Sequence, residues 1–247
     1  MIPSVLLFTL SAFVLGGLGM GWANRRAQPA ARRNRWIKFI TYFCIVHLVL
    51  VCALLGPRVL GSLMLVVLAV GAWELYRALR ARQYAGIAPR SGIRAGIGIV
   101  YLLLGVGLMR FVLFSTPEAA VYVYLVVAAF DGFSQVTGQL AGKRCLARRI
   151  SPGKTVEGAL GGLILAAATA IVLRPLVHLE ASQAIASCVW IVLAGLSGDL
   201  SASWVKRWTG IKDFGSWLPG HGGVLDRFDS FLFAAPVALI ALYRGGQ

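Results

Sequence analysis

The sequence predicts an all-α fold, a polytopic integral membrane protein with about eight transmembrane helices. Composition is the first reason: hydrophobic residues make up 58% of the 247 and charged residues 13%, against roughly 45–50% and about 25% in soluble domains. Mean hydropathy is the second, at +0.78. The third is that apolar stretches of about 20 residues, the length that crosses a hydrocarbon core, recur along the whole chain. The 29 glycines agree, because small residues let membrane helices approach closely. A soluble enzyme, a disordered chain and a coiled coil are excluded, since too few polar side chains exist to cover a watery surface.

Spans are expected near residues 2–22, 36–56, 59–77, 94–114, 119–138, 158–177, 184–203 and 228–243. The first opens on Met1 to Ser4 without side-chain charge, and its basic cluster follows the apolar run. It therefore reads as an inserted helix with its N-terminus outside and not as a signal peptide. Alternating the loops from there sorts the charges. The loops after the first, third, fifth and seventh spans hold 20 of the 24 basic residues. Arg58, Arg110, Arg174 and Arg244, with Glu118 and Glu180, are left on the other side. The positive-inside rule makes the rich side cytoplasmic and puts both termini outside. It also accounts for the net charge of +15 through anionic headgroups, without a nucleic-acid partner.

Residues 1–115 read as N-terminal membrane helices and 116–247 as C-terminal membrane helices with cytoplasmic catalytic loops, together one integrated membrane domain. The longest polar stretch, about 204–229, is too short to bury a core of its own. No internal repeat supports an inverted-repeat transporter. Cys44, Cys52, Cys145 and Cys188 show no CxxC spacing, so neither a disulfide framework nor a zinc site is indicated.

The nine carboxylates are the most informative residues. Glu74 sits three residues before Arg77, close enough to pair along a helix, and Glu118 and Glu180 fall in outer loops. The other six, Asp131, Glu157, Asp199, Asp213, Asp226 and Asp229, lie on or beside the C-terminal cytoplasmic segments. Asp131 and Asp199 interrupt apolar spans, where a carboxylate is costly and marks a functional site unless a loop arginine neutralises it. Asp199, Ser203 and Lys206, spaced four and three apart, share one helical face, and that trio can hold a divalent cation and a phosphate. Leu218-Pro219-Gly220-His221-Gly222-Gly223 is too rich in glycine and proline for a helix, and its N–H groups can approach an anion. Asp226 and Asp229 form a pair suited to Mg²⁺, with Arg227 placed to meet a phosphate.

Upstream, Lys143, Arg144, Arg148 and Arg149 lead into Ser151-Pro152-Gly153-Lys154-Thr155, then Glu157 and Gly158. Ser151 or Thr155 can cap the sixth span, whose N-terminus together with Lys154 offers an anion site; an ordinary basic loop with a proline turn is the alternative. Gly158 and Gly162 read as helix packing. His47 and His178 read as packed or interfacial, and His221 as a phosphate donor or a loop brace. No Ser-His-Asp or Cys-His arrangement is present. Clustered acids, many cations and glycine loops on one face point to nucleotide and phosphate chemistry with Mg²⁺.

The run Ser203-x-x-Lys206-Arg207-x4-Lys212-Asp213-x-Gly215-x3-Pro219-x-His221-Gly222-Gly223-x2-Asp226-Arg227-x-Asp229 resembles the signature of the phosphatidate cytidylyltransferases, the CDP-diacylglycerol synthases. It covers 27 residues without a departure. Ser151-Pro152-x-Lys154-Thr155-x-Glu157-Gly158 with Gly161 and Gly162 is similar to that family too, as is Asp131 with Gly138 and Gly142. The resemblance spans roughly the C-terminal half. One departure is Ser134-Gln135, where family members often carry Ala-Tyr.

The resemblance implies that CTP and phosphatidate react to CDP-diacylglycerol and pyrophosphate, for phospholipid synthesis. It implies a catalytic set of Asp199, Lys206, Arg207, Lys212, Asp213, Asp226, Arg227 and Asp229. Of these, Asp199, Asp226 and Asp229 would hold Mg²⁺, with a second metal or a monovalent cation left open. Substrate binding would fall to Asp131, Ser151, Lys154, Thr155, Glu157, Ser203, His221, Gly222 and Gly223. The implied partners are CTP, phosphatidate and membrane lipids, with a homodimer left open, in a bacterial inner membrane with the active site at its cytoplasmic face. The alternatives are a related CTP-using enzyme, such as a CDP-archaeol synthase or a CTP-dependent polyprenol kinase, and a non-enzymatic transporter or scaffold.

Overall fold

In lipid a backbone can satisfy its N–H and C=O groups only within its own helix or a closed barrel, and here every long apolar run is helical. The computed structural model describes residues 2–26, 28–84, 91–218 and 222–243. Its helices are α1 (Ile2–Ala23), α2 (Pro29–Leu54), α3 (Pro57–Tyr84), α4 (Ser91–Phe114), α5 (Pro117–Ala141), α6 (Val156–Leu173), α7 (Ala181–Thr209) and α8 (Leu225–Tyr243). Each expected span coincides with one of them.

Among the described residues, six helices are long and apolar enough to cross a membrane, namely α2 to α7. α1 runs 22 residues without a charged side chain, and Val5–Leu18 within it counts as a shorter apolar helix. α8 has 19 residues and opens with Asp226, Arg227 and Asp229, which shortens its apolar length by more than a turn. The chain is thus an all-α polytopic membrane protein; length and composition pick out six spans among the described residues and do not confirm the expected eight.

The helix ends follow their local sequence. Thr116 Oγ1 accepts from Ala119 N at 3.2 Å ahead of Pro117, the first residue of α5. Glu180 and Gln183 form a reciprocal capping box on α7, which stops at Gly210 with φ +79°. Where a basic loop was expected after α5, the chain forms an antiparallel hairpin of β1 (Cys145–Ala147) and β2 (Ser151–Thr155).

α5 is the enclosed centre, with every residue from Ala119 to Val127 buried. Tyr122 Oη lies 2.9 Å from Ser187 Oγ of α7, and Phe231 of α8 meets Tyr124 edge to face at 5.4 Å. Outward faces are apolar instead, as Leu102 and Leu103 on α4, Ile164 on α6 and Trp190 on α7 show. His47 packs on Phe43, ring centroids 4.0 Å apart.

Two seams of small residues bring the acid-bearing helices together. A Cβ at Gly162 would sit 2.8 Å from Ser134 Cβ and 2.9 Å from Phe130 O, so α6 lies directly on α5. Thr137 Oγ1 adds a bond to Gly158 O at 3.1 Å. Ser134 is a small side chain in this seam. On the other side, a Cβ at Gly198 would meet Asp229 O at 2.6 Å, which presses α7 onto α8.

Candidate active site

Stretches far apart in sequence meet at one end of the bundle. Asp131 comes from α5, Lys154 from β2, Asp199, Ser203 and Lys206 from α7, and Asp226, Arg227 and Asp229 from the start of α8. The four-and-three spacing on α7 works as expected, with Ser203 Oγ donating to Asp199 Oδ1 at 3.4 Å. The Lys154 ammonium sits directly on Asp199 Oδ2. Lys206 Nζ donates to Asp226 Oδ1 at 2.6 Å, with side chains 12% and 1% exposed.

Asp226 also folds the loop between α7 and α8 back on itself. Its Oδ2 accepts from Phe214 N at 2.8 Å and from Gly223 N at 2.9 Å. Gly222, with φ +83°, turns the chain here, and a Cβ on it would meet Asp226 Oδ2 at 3.0 Å. The N–H of Gly223 is therefore spent on an internal carboxylate, which corrects the expectation that it stays free for a substrate anion.

Asp131, Asp199 and Asp229 lie within electrostatic reach of one another, with Lys154, Lys206 and Arg227 interleaved. With Asp226, the cluster thus sets four carboxyl groups among three cations. Asp229 is buried and takes one short bond, from Ser230 N at 2.7 Å. The buried Ser230 side chain lies beside Asp131. Among the described residues no three acids or other ligating side chains enclose an ion by themselves. Mg²⁺ does not require that, since it takes one or two carboxylates and completes its shell with water and phosphate oxygens. An all-oxygen donor set, already drawing ammonium groups onto Asp199 and Asp226, fits such a hard cation.

Other expected residues have local duties. Thr155 Oγ1 accepts from Gly158 N at 3.0 Å, so Thr155, not Ser151, caps α6; Ser151 is half-buried in β2. Glu157 Oε2 accepts from Lys143 N at 3.0 Å and Arg144 N at 3.1 Å, bracing the hairpin's entry. Arg207 is exposed and its Nε donates to Ile150 O at 3.2 Å, tying the hairpin to α7. Lys212 and Asp213 are exposed on the following loop. His221 lies outside the described residues.

Two residues near the site were not anticipated. Glu74, expected to pair with Arg77, is turned inward and fully buried, while Arg77 is exposed. Its oxygens accept from Val224 N at 3.0 Å and Leu225 N at 2.8 Å. The signal was available, because Glu74 interrupts an apolar span as Asp131 and Asp199 do. Tyr42 of α2 donates to Ala128 O at 2.8 Å and lies near Asp131 and Arg227; no sequence pattern singles it out.

Residues 91–244 match the model of the cytidylyltransferase family. A phosphatidate cytidylyltransferase from Staphylococcus haemolyticus is 41% identical over 147 residues, covering 57% of this chain and 56% of that protein. One from Staphylococcus saprophyticus is 42% identical over 125 residues, covering 50% and 48%. The chain spans about half the length of the curated relatives it matches.

Proposed function

The chain belongs to the cytidylyltransferase family, and from that premise we propose that it is a nucleotidyltransferase joining the cytidylyl group of CTP to phosphatidate. The observation that supports this most is the convergence of Asp131, Lys154, Asp199, Lys206, Asp226, Arg227 and Asp229 at one bundle end. The named activity of the staphylococcal relatives agrees with it.

In this reading a phosphate oxygen of phosphatidate attacks the α-phosphorus of CTP. The bond to the β-phosphate breaks and pyrophosphate leaves, giving CDP-diacylglycerol. The nucleophile is already anionic, so the residues supply alignment and charge neutralisation and need no strong base. Lys154, Lys206 and Arg227 meet phosphate oxygens, and the two lysines leave Asp199 and Asp226 to do so. Lys212 and Arg207, exposed at the rim, draw the nucleotide in. Asp199, Asp226 and Asp229 would hold Mg²⁺, which when bound neutralises charge on the phosphates and the leaving pyrophosphate. The basic loops support a position of this end at the cytoplasmic face of a bacterial inner membrane, where CTP would arrive from water and phosphatidate from the leaflet.

The deciding experiment gives purified protein in liposomes phosphatidate, Mg²⁺ and CTP labelled on the α- or γ-phosphate. The expected result is α-label in lipid and γ-label in pyrophosphate, both abolished by chelation and restored by Mg²⁺. Transfer of γ-label to a lipid means a kinase instead. Transfer of neither, with an archaeal-type lipid also tried, rejects the catalytic reading.

A further inference from the structure

We propose that Glu74, in α3 and outside the segment that matches the family model, is a positioning residue that sets the start of α8 and with it Asp226, Arg227 and Asp229. The inference rests on the cytidylyltransferase reading for its consequence, though not for its geometry. Glu74 is completely buried, and its two oxygens take separate backbone donors, Val224 N and Leu225 N. These are the last N–H before α8 and the first within it, groups that a helix cannot satisfy for itself. A capping side chain normally comes from the same segment. Here it comes from a helix 150 residues earlier.

The arrangement is closed from the other side by Asp226, which takes Gly223 N and Phe214 N. Residues 223–225 are thus gripped between two carboxylates, one structural and one in the site. The glycines of the motif record this. A Cβ on Gly223 would lie 2.6 Å from both Glu74 oxygens, and one on Gly215 would come 3.0 Å from Glu74 Cδ. Both positions accommodate the carboxylate of α3 closely enough to exclude any side chain. The positive end of α8 favours negative charge at this point, so Glu74 is stabilised by the helix it orients. It touches no phosphate and acts only through Asp226, Arg227 and Asp229.

The test compares Glu74→Ala, Glu74→Gln and Gly223→Ala, each in the full chain, with the wild type. Amide hydrogen exchange is read at Val224 and Leu225, and cytidylyl transfer is resolved into kcat and KM. Glu74→Ala is expected to speed exchange at those amides about tenfold and to lower kcat about tenfold, with KM for CTP changed less than about threefold. Glu74→Gln, which keeps the shape and one acceptor, is expected to fall between. Gly223→Ala is expected to be damaging alone and less so when combined with Glu74→Ala, because the colliding carboxylate is gone. If Glu74→Ala does not fold, the Gln variant and Gly223→Ala carry the same comparison. Unchanged exchange at residues 224 and 225, unchanged kcat, or strict additivity with Gly223→Ala overturns the proposal. A wild type that transfers no cytidylyl group rejects the enzymatic reading instead, and the exchange data still decide whether Glu74 holds α8.

Discussion

Replacing Asp226 by alanine removes a carboxylate that three donors share. Lys206 Nζ reaches it at 2.6 Å from a side chain 12% exposed, and Phe214 N and Gly223 N reach it at 2.8 and 2.9 Å. Truncating one partner of such a buried ion pair costs about 3–5 kcal/mol, because the other charge is stranded. Each orphaned N–H adds about 1–3 kcal/mol where the loop does not relax. Asp226→Ala is therefore expected to lose at least about 3 kcal/mol. Adding Lys206→Met removes the stranded charge and should recover about 2 kcal/mol or more, since a buried pair replaced by an apolar group is close to neutral. Reversible denaturant unfolding in mixed micelles measures both changes, and the labelled-CTP assay run alongside should find both proteins inactive. The reasoning is refuted if Asp226→Ala stays within about 1 kcal/mol of wild type, or if Lys206→Met worsens it. Full CTP-dependent activity in Asp226→Ala would remove Asp226 from the metal assignment as well.

Other substitutions probe the supports of the site. Gly162→Leu drives a branched side chain into Ser134 and Phe130 O, and should separate α5 from α6 and abolish activity, with loss of a monodisperse peak on size exclusion as the readout. Thr155→Val deletes the cap on Gly158 N and should cost about 1 kcal/mol, lowering the unfolding midpoint while leaving measurable transfer. Cys145 is free and exposed on the hairpin, so a membrane-impermeant maleimide should label it in inside-out vesicles and not in right-side-out ones. Labelling in both, or only in the latter, would reverse the orientation.

The helices were legible because a membrane segment must be long, apolar and internally bonded, and each requirement leaves a mark in one dimension. The site was legible for a related reason: Asp131, Asp199 and Lys206 stand out against apolar surroundings. What stayed hidden depends on orientation. The spacing of Glu74 and Arg77 predicts a pair along the helix, because spacing says which residues are neighbours and not which way the helix faces. The hairpin at 145–155 was read as a loop, since its strands are only three and five residues long and Pro152 and Gly153 argue against β structure. α8 does not qualify as a span by length and composition because three charged residues share its first turns, and these belong to the candidate site.

The pairing of Glu74 with residues 224 and 225 also has a timetable. The carboxylate belongs to the third helix and its partners to the entry and first residue of the eighth, 150 and 151 residues later. At about 5–20 residues per second of synthesis, some 8–30 s separate the two. Throughout that interval α3 carries an ionisable group with no partner, on the turn before exposed Arg77 and Arg80. Those arginines keep that end of the helix near headgroups and water, so α3 is expected to wait shallow in the membrane and settle when α8 arrives. Ribosome-stalled chains ending before and after residue 225 make the wait measurable, by the protection of a cysteine placed beside Glu74 at Trp73.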